Sequence, residues 1–173
     1  MKTTAVHIIC TLLLALSVIS CNEQPQVSSV NPENWGARTA TIPTGDTLAV
    51  GKTYLSIYSQ IFSYSEHKTH NLTAMVSLRN TSDTDTIYIT NASYYDTHGK
   101  LVRSYFDNAI YLSPLETTEI VIDEKDVTGG TGSNFIFEWS TPAGASEPLF
   151  EGVMSSTMGQ QGLSFTTQGK RIK

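Results

Sequence analysis

Leu72, Ala74, Val76 and Leu78 fall on every second position of one segment, interleaved with Thr73, Met75, Ser77 and Arg79. A period of two is what a strand with one buried face requires, and it cannot wrap into a helix without scattering its apolar side chains. Similar short segments recur along the chain between turn residues. They run around Tyr54 to Phe62, Asp85 to Tyr95, Leu101 to Phe106, Thr118 to Asp123, Phe135 to Trp139, Leu149 to Ser155 and Leu163 to Thr167. Asp96-Thr97-His98-Gly99 joins two of them as a hairpin. No segment spaces its apolar residues at 3.6 over the length a helix needs. About seven or eight such strands predict an all-β fold, an antiparallel Ig-like β-sandwich with a small β-barrel as the alternative. Phe135, Phe137 and Trp139 share one side of their strand and are expected at the centre of the core.

The N-terminus belongs to a different class of sequence. Lys2 is followed by an uncharged apolar run from about Val6 to Ile19. At roughly 14 residues this run suits the core of an export signal and falls short of the ~20 needed to span a bilayer. Val18-Ile19-Ser20-Cys21 directly behind it resembles the bacterial lipobox, in which the cysteine is acylated and becomes the new N-terminus. Residues 1–20 are therefore expected to be a lipoprotein signal peptide and Cys21 the lipidated residue. An ordinary secretory signal with an incidental Cys21 is the competing interpretation. The other cysteine, Cys10, lies inside the leader, so the expected mature domain has no disulfide, no thiolate ligand and no thiol nucleophile. Such a domain must hold together by its core alone. Asn22 after the cysteine points toward the outer membrane under a sorting rule of many Gram-negative bacteria. The expected address is the cell envelope, outer membrane or periplasmic face.

Residues 21–46 are rich in Asn, Gln, Ser, Thr, Pro and Gly and predict a lipidated flexible tether, with residues 47–173 as a single sandwich domain. Trp35 is the one large apolar side chain in the tether, either docked on the domain or exposed. The chain carries a net charge of −5, and its 11 basic residues form no cluster beyond Lys170, Arg171 and Lys173. That balance speaks against a nucleic-acid partner, and charge gives no reason to expect anionic lipid either. The membrane connection rests on Cys21.

Longer stretches carry a family resemblance. Tyr94-Tyr95-Asp96-Thr97-His98-Gly99-Lys100-Leu101-Val102-Arg103-Ser104-Tyr105, Asp126-Val127-Thr128-Gly129-Gly130-Thr131-Gly132-Ser133-Asn134-Phe135 with Glu138-Trp139, Glu151-Gly152-Val153-Met154 and Gln161-Gly162-Leu163-Ser164-Phe165 resemble a bacterial lipoprotein family catalogued as domain of unknown function 3124. The resemblance runs from about Tyr54 to Ile172. It implies a domain and an exported address, and no mechanism. In that family the first strand often reads Tyr-Ser-His, whereas Gln60 follows Tyr58-Ser59 here.

Three places could carry chemistry. Glu66-His67-Lys68-Thr69-His70 lies between two expected strands, and with Asp96 and His98 from a later turn it could surround zinc or a similar ion if the loop converged them. A solvated polar loop is the plainer expectation. Gly129-Gly130-Thr131-Gly132-Ser133-Asn134 has the glycines of a phosphate loop but no Gly-Lys-Ser/Thr ending and no following helix, and Asp123, Glu124 and Asp126 beside it would repel an anion. A turn needing positive φ at several positions accounts for it. Those acidic residues could suit Ca²⁺, though no EF-hand spacing supports that. No nucleophile elbow is present, Ser164 is expected to point outward from a strand, and Glu116 and Glu119 to be a solvated face. Three sequons, at Asn71, Asn80 and Asn91, and two Asp-Thr-aliphatic triplets, at Thr47 and Thr86, are the candidate sugar acceptors. The expectation is a non-catalytic binding or envelope-structural module without a cofactor, its partner an envelope protein or glycan. The alternative is a metal-binding or metal-dependent protein using His67, His70 and His98.

Overall fold

The structure, a computed structural model, describes residues 33–43, 47–157 and 162–173. The expected signal peptide 1–20, Cys21 and the tether up to residue 32 lie outside the described residues. Among the described residues twelve strands are formed where about seven or eight were expected: β1 (Leu48–Ile57), β2 (Gln60–Ser63), β3 (Ser65–Asn71), β4 (Thr73–Arg79), β5 (Ile87–Tyr95), β6 (Leu101–Ser104), β7 (Ile110–Leu112), β8 (Thr117–Ile122), β9 (Ser133–Pro142), β10 (Leu149–Ser156), β11 (Leu163–Gln168) and β12 (Lys170–Arg171). A six-stranded sheet runs β12-β1-β9-β5-β6, with β7 also paired to β5, and a four-stranded sheet runs β11-β10-β4-β8. All pairings are antiparallel. Both sheets have open edges, so the architecture is the sandwich and not the barrel.

The alternation that predicts the strands also fills the core. From the larger sheet come Leu55, Ile57, Ile87, Ile89, Ala92, Tyr94, Ile110, Leu112, Phe135, Phe137 and Trp139. Ala74, Val76, Leu78, Ile120, Ile122, Phe150 and Met154 come from the smaller one. Phe137 meets Phe150 across the gap with ring centroids 4.1 Å apart and planes 4° off parallel. In β5 the pairing with β9 shifts between Ile89 and Asn91. The extra residue, Thr90, is a bulge that resets the alternation, so Ile87 and Ile89 before it and Ala92 and Tyr94 after it all face inward.

Two expectations need correction. The segment Tyr54 to Phe62 is not one strand: β1 ends at Ile57, and Ser59 and Gln60 both give their N–H to the Gly130 carbonyl, which turns the chain out of the larger sheet. The expected loop around Glu66 to His70 is strand β3, paired with β2 as a separate two-stranded hairpin. Neither of its faces is buried deeply enough to impose an apolar alternation.

The domain also begins earlier than residue 47. Trp35–Arg38 forms a 3-10 turn capped by Asn34, and Trp35 is 5% exposed, its ring 5.3 Å from that of Phe106. Arg38 bridges Glu33 and Glu116 at 2.6 Å each, and Ala40 N–H donates to the Ala109 carbonyl. The surface ion pairs contribute little, on the order of 1 kcal/mol or less each. Burial of the indole is the larger effect. Residues 33–40, placed by composition in the flexible tether, are thus part of the folded domain. Trp35→Ala should lower unfolding free energy by about 3 kcal/mol in urea titration. It should also expose the Arg38 peptide bond to trypsin in the native protein.

Candidate binding surface

The loops that sequence singled out collect at one end of the sandwich. Pairing of Ile57 with Ser133 and of Tyr95 with Asn134 puts the end of β1, the start of β9 and the β5–β6 turn side by side. Leu72 N–H donates to the Ser59 carbonyl, which ties the start of β4 in the other sheet to the same place. The hairpin β2–β3, the Asp96–Gly99 turn and the Gly-rich loop before β9 therefore share this end.

The Gly-rich loop is a latch between these elements. Gly130 alone among its glycines has a positive φ, 74°, so the expectation of several such positions is corrected to one. Gly129 is required for room. A Cβ there would stand 1.8 Å from Tyr94 Oη, 2.6 Å from Ser59 Oγ and 2.7 Å from Ser133 Oγ. Those hydroxyls form a buried chain. Tyr94 Oη and Ser59 Oγ are 2.7 Å apart, Tyr94 donates toward Ser133 Oγ at 3.3 Å, and Ser133 donates to the Ile57 carbonyl at 2.7 Å. Burial pushes the Tyr94 phenol above its ordinary range, so it stays a protonated donor. Thr97 closes the other side, its Oγ1 donating to the Gly129 carbonyl at 3.0 Å and accepting the Gly132 N–H at 2.9 Å. The loop's amides and carbonyls are thus spent on the protein itself rather than turned toward an anion.

Asp126 and Asp123 beside the loop are spent in the same way. Asp126 is 7% exposed and pairs with Arg103 Nη2 at 3.2 Å, while the Thr128 hydroxyl donates to its Oδ1 at 2.5 Å. Burial pushes this carboxyl up, but the two hydrogen bonds from Thr128 and the Arg103 guanidinium outweigh that and hold it below the usual range. Asp123 accepts the Lys125 N–H at 2.9 Å as a turn residue. The Asp96 carboxylate caps its own turn, taking the N–H of Lys100 at 2.9 Å and of His98 at 2.8 Å. The Lys100 bond is the main reason it too is held low.

The expected metal ligands do not converge. His67 and His70 are three apart on a strand, so they leave it on opposite faces. His67 is exposed and lies 3.4 Å from Glu66, and His98 is exposed on its turn. Among the described residues no group of three or more His, Cys, Asp or Glu side chains is placed to hold an ion. Ser164 and Glu119 are exposed on their strands, and Glu116 is bound to Arg38. Asn80, the middle sequon, is 3% exposed, and its Nδ2 lies within hydrogen-bonding reach of the Asp85, Leu112 and Ser113 carbonyls at 2.7, 3.1 and 2.9 Å. Its amide pins a crossover between the sheets and is closed to a sugar.

What sequence missed is the hairpin itself. Phe62 is 57% exposed and Tyr64, at φ 64° in its turn, is 93% exposed, with Lys68 Nζ 5.3 Å from the Tyr64 ring centroid. Gln60 pairs with Asn71 and Phe62 with Thr69, so these four side chains share a face. Gln60 Nε2 donates to Asn71 Oδ1 at 2.9 Å and to Thr69 Oγ1 at 3.3 Å. A hollow of about 400 Å³ lies elsewhere, on the outer face of the larger sheet, lined by Leu48, Val50 and Ile42 with Lys52, Glu138 and Lys173 beside them. Lys52 and Glu138 pair with each other at 2.6 Å there.

Gly129→Ala should cost about 2–3 kcal/mol, more than Tyr94→Phe, while Gly132→Ala, whose new Cβ would meet Thr97 at 3.4 Å, should be tolerated; melting curves of the three variants check the order. Because the folded Asp126 carboxyl titrates below its unfolded value, its stabilisation is present above about pH 4 and is lost as pH falls through the folded value. Asp126→Asn should therefore destabilise the protein at pH 7, and the gap from wild type should narrow in urea titrations taken toward pH 2.

No curated protein matches the chain. Among solved structures it is similar to the crystal structure of Thermotoga maritima 1070, at 14% sequence identity and a TM-score of 0.46, over 69% of this chain and 92% of that one. A family model described as "Protein of unknown function (DUF3124)" matches residues 50–172. That span takes in most of the first strand, the hairpin, the latch and the last strand, and the chain belongs to this DUF3124 family.

Proposed function

We propose that the protein is an exported, lipid-anchored and non-catalytic binding module of the cell envelope, tethered through Cys21 and presenting its hairpin end to an envelope protein or glycan. The observation that carries this reading is the hairpin, a two-stranded element outside both sheets with Phe62 and Tyr64 exposed by 57% and 93%. An exposed apolar residue needs no explanation when it stands alone. Two aromatic side chains within three residues, one on a strand that packs little and one in its turn, leave burial unrealised that amounts to at most about 1.5–3 kcal/mol each. A partner that covers them recovers it.

The position of the N-terminus suits that arrangement. Arg38 ties Glu33 to Glu116, just before β8, and Asn80 beyond the end of β4 donates to the Glu116 carbonyl. The hairpin leads into the start of β4, so Glu33 and the hairpin lie toward opposite ends of the sandwich. From Cys21 to Glu33 about a dozen residues span at most ~40 Å. A domain held at Cys21 thus turns its hairpin end away from the bilayer. A lipid anchor of more than one chain holds firmly, since each buried methylene contributes ~0.8 kcal/mol.

Fractionation of cells expressing wild type and Cys21→Ser tests the anchor. The wild type should sediment with membranes and carry an acylated Cys21 by mass spectrometry, and the variant should move to the soluble fraction. Sedimentation of both would place the attachment elsewhere. A photo-crosslinking amino acid in place of Tyr64, installed in intact cells, tests the docking end: adducts should form there and not at Glu147, toward the far end of the domain.

A further inference from the structure

We infer that the outer face of the larger sheet is the interface of a twofold dimer, its occupant a second copy of this chain. Alternation sets the face. Leu55, Phe135 and Phe137 point into the core, so Val50, Lys52 and Tyr54 of β1 and Ser140, Glu138 and Ile136 of β9 point out. The register lays these six in rows, Val50 beside Ser140, Lys52 beside Glu138 and Tyr54 beside Ile136. Tyr88 of β5 extends the first row. Aliphatic and aromatic side chains around one ion pair resemble the centre of an interface, where tyrosine is enriched and charge is scarce.

Charge selects both the occupant and the symmetry axis. Lys52 and Glu138 stand on neighbouring strands, paired at 2.6 Å, with side chains 37% and 43% exposed. Two such faces can be stacked by a twofold axis lying between them, either across the strands through this row or along them. The axis across the strands sets Lys52 on Lys52 and Glu138 on Glu138, and like charges so placed oppose association. An axis along the strands, midway between β1 and β9, exchanges the two columns. Lys52 then faces Glu138 of the second copy and Glu138 faces its Lys52, so the four charges alternate in sign. Lys170 and Lys173 stand at the β12 edge, across from β5 of the second copy, whose outward Ser93 and Asn91 are neutral.

Shape agrees with the same axis. Val50 is 68% exposed at the rim of the hollow of about 400 Å³ that Ile42 and Leu48 wall. The axis carries Val50 of the second copy over Ser140, in the floor of that hollow, so each copy supplies a knob and receives one. Ser140 is 3% exposed and its hydroxyl has no hydrogen-bond partner, so covering it strips no further water. From Leu48 to Ser56 the face runs roughly 27 Å, and its five strands span about 20 Å. That offers on the order of 500–600 Å² per copy, at the lower limit of about 1,200 Å² in total for specific complexes. A weak, reversible dimer is expected. Because the axis lies along the strands, both copies point their hairpins the same way, as two chains anchored in one membrane must. The dimer itself does not depend on that anchor.

Sedimentation velocity of the full chain carrying Cys21→Ser, in which no acyl chain contributes, tests the inference over a range of concentrations. The otherwise unaltered chain should show a monomer–dimer equilibrium with a dissociation constant in the micromolar range. Adding Lys52→Glu alone or Glu138→Lys alone should weaken it more than about tenfold, with the circular dichroism of the fold retained. Val50→Asp, which puts a charge into the apolar hollow, should do the same. An equimolar mixture of the Lys52→Glu and Glu138→Lys chains should dimerise again, since every facing pair then has opposite sign, and a merely structural role for the ion pair gives no such recovery. A parent chain that stays monomeric would overturn the inference, whether native mass spectrometry then finds a small molecule in the hollow or none. So would a dimer indifferent to both single charge variants, or a mixture that stays monomeric.

Discussion

Phe137 of one sheet lying flat on Phe150 of the other is the contact on which the arrangement depends. With no cysteine beyond residue 21, no disulfide holds the two sheets together. The stack continues through Phe135, 5.3 Å from Phe137, to Tyr94 at 4.9 Å. That row runs along the core from its middle to the loop end and finishes in a hydroxyl. Tyr94 is thus apolar core on one side and the first member of a hydrogen-bonded chain on the other. Its Oη reaches Ser59 and Ser133, and Gly129 closes over all three. Core packing sets the position of the latch, and the latch sets where the chain leaves β1 to form the hairpin.

This coupling explains why the polar groups of the conspicuous loop residues are turned inward. Gly129, Thr97, Ser59 and Asp126 all sit where a ligand loop would place them, yet their polar groups face one another. A latch of this kind has to satisfy every buried group it contains, because an orphaned one costs as much as the latch contributes. The hairpin answers to the opposite condition. Its strands carry Ser, Glu, His, Lys and Thr because water covers them, and its aromatic side chains stand out against that background.

The legible part of the fold was the part whose side chains must choose between core and solvent. Leu72 to Leu78 and Phe135 to Trp139 declare themselves because one face of each is sealed. Ser65–Asn71 is equally a strand, but its pattern of exposure leaves no alternation to read, and polar residues between two apolar runs look like a loop. Strands β7 and β12, of three and two residues, are too short to show a period at all. Trp35 was undecidable for another reason: its partner Phe106 and the Arg38 partner Glu116 lie some seventy residues away, and local composition holds no trace of either. At the Gly-rich loop the residue type was informative and its cause was not, since a missing Cβ can serve torsion, as at Gly130, or space, as at Gly129.

Placing the N-terminal turn and the hairpin toward opposite ends has a mechanical consequence. Were residues 33–40 loose, the point at which the chain enters the domain would not be fixed. Docking Trp35 beside Phe106 shortens the free chain and fixes its exit point. The exit point then follows from burial of the indole. The hairpin sits toward the other end, and one of its faces carries Gln60, Phe62, Thr69 and Asn71. The turn and the hairpin are thus joined through the core, whose aromatic row runs from its middle toward the loop end.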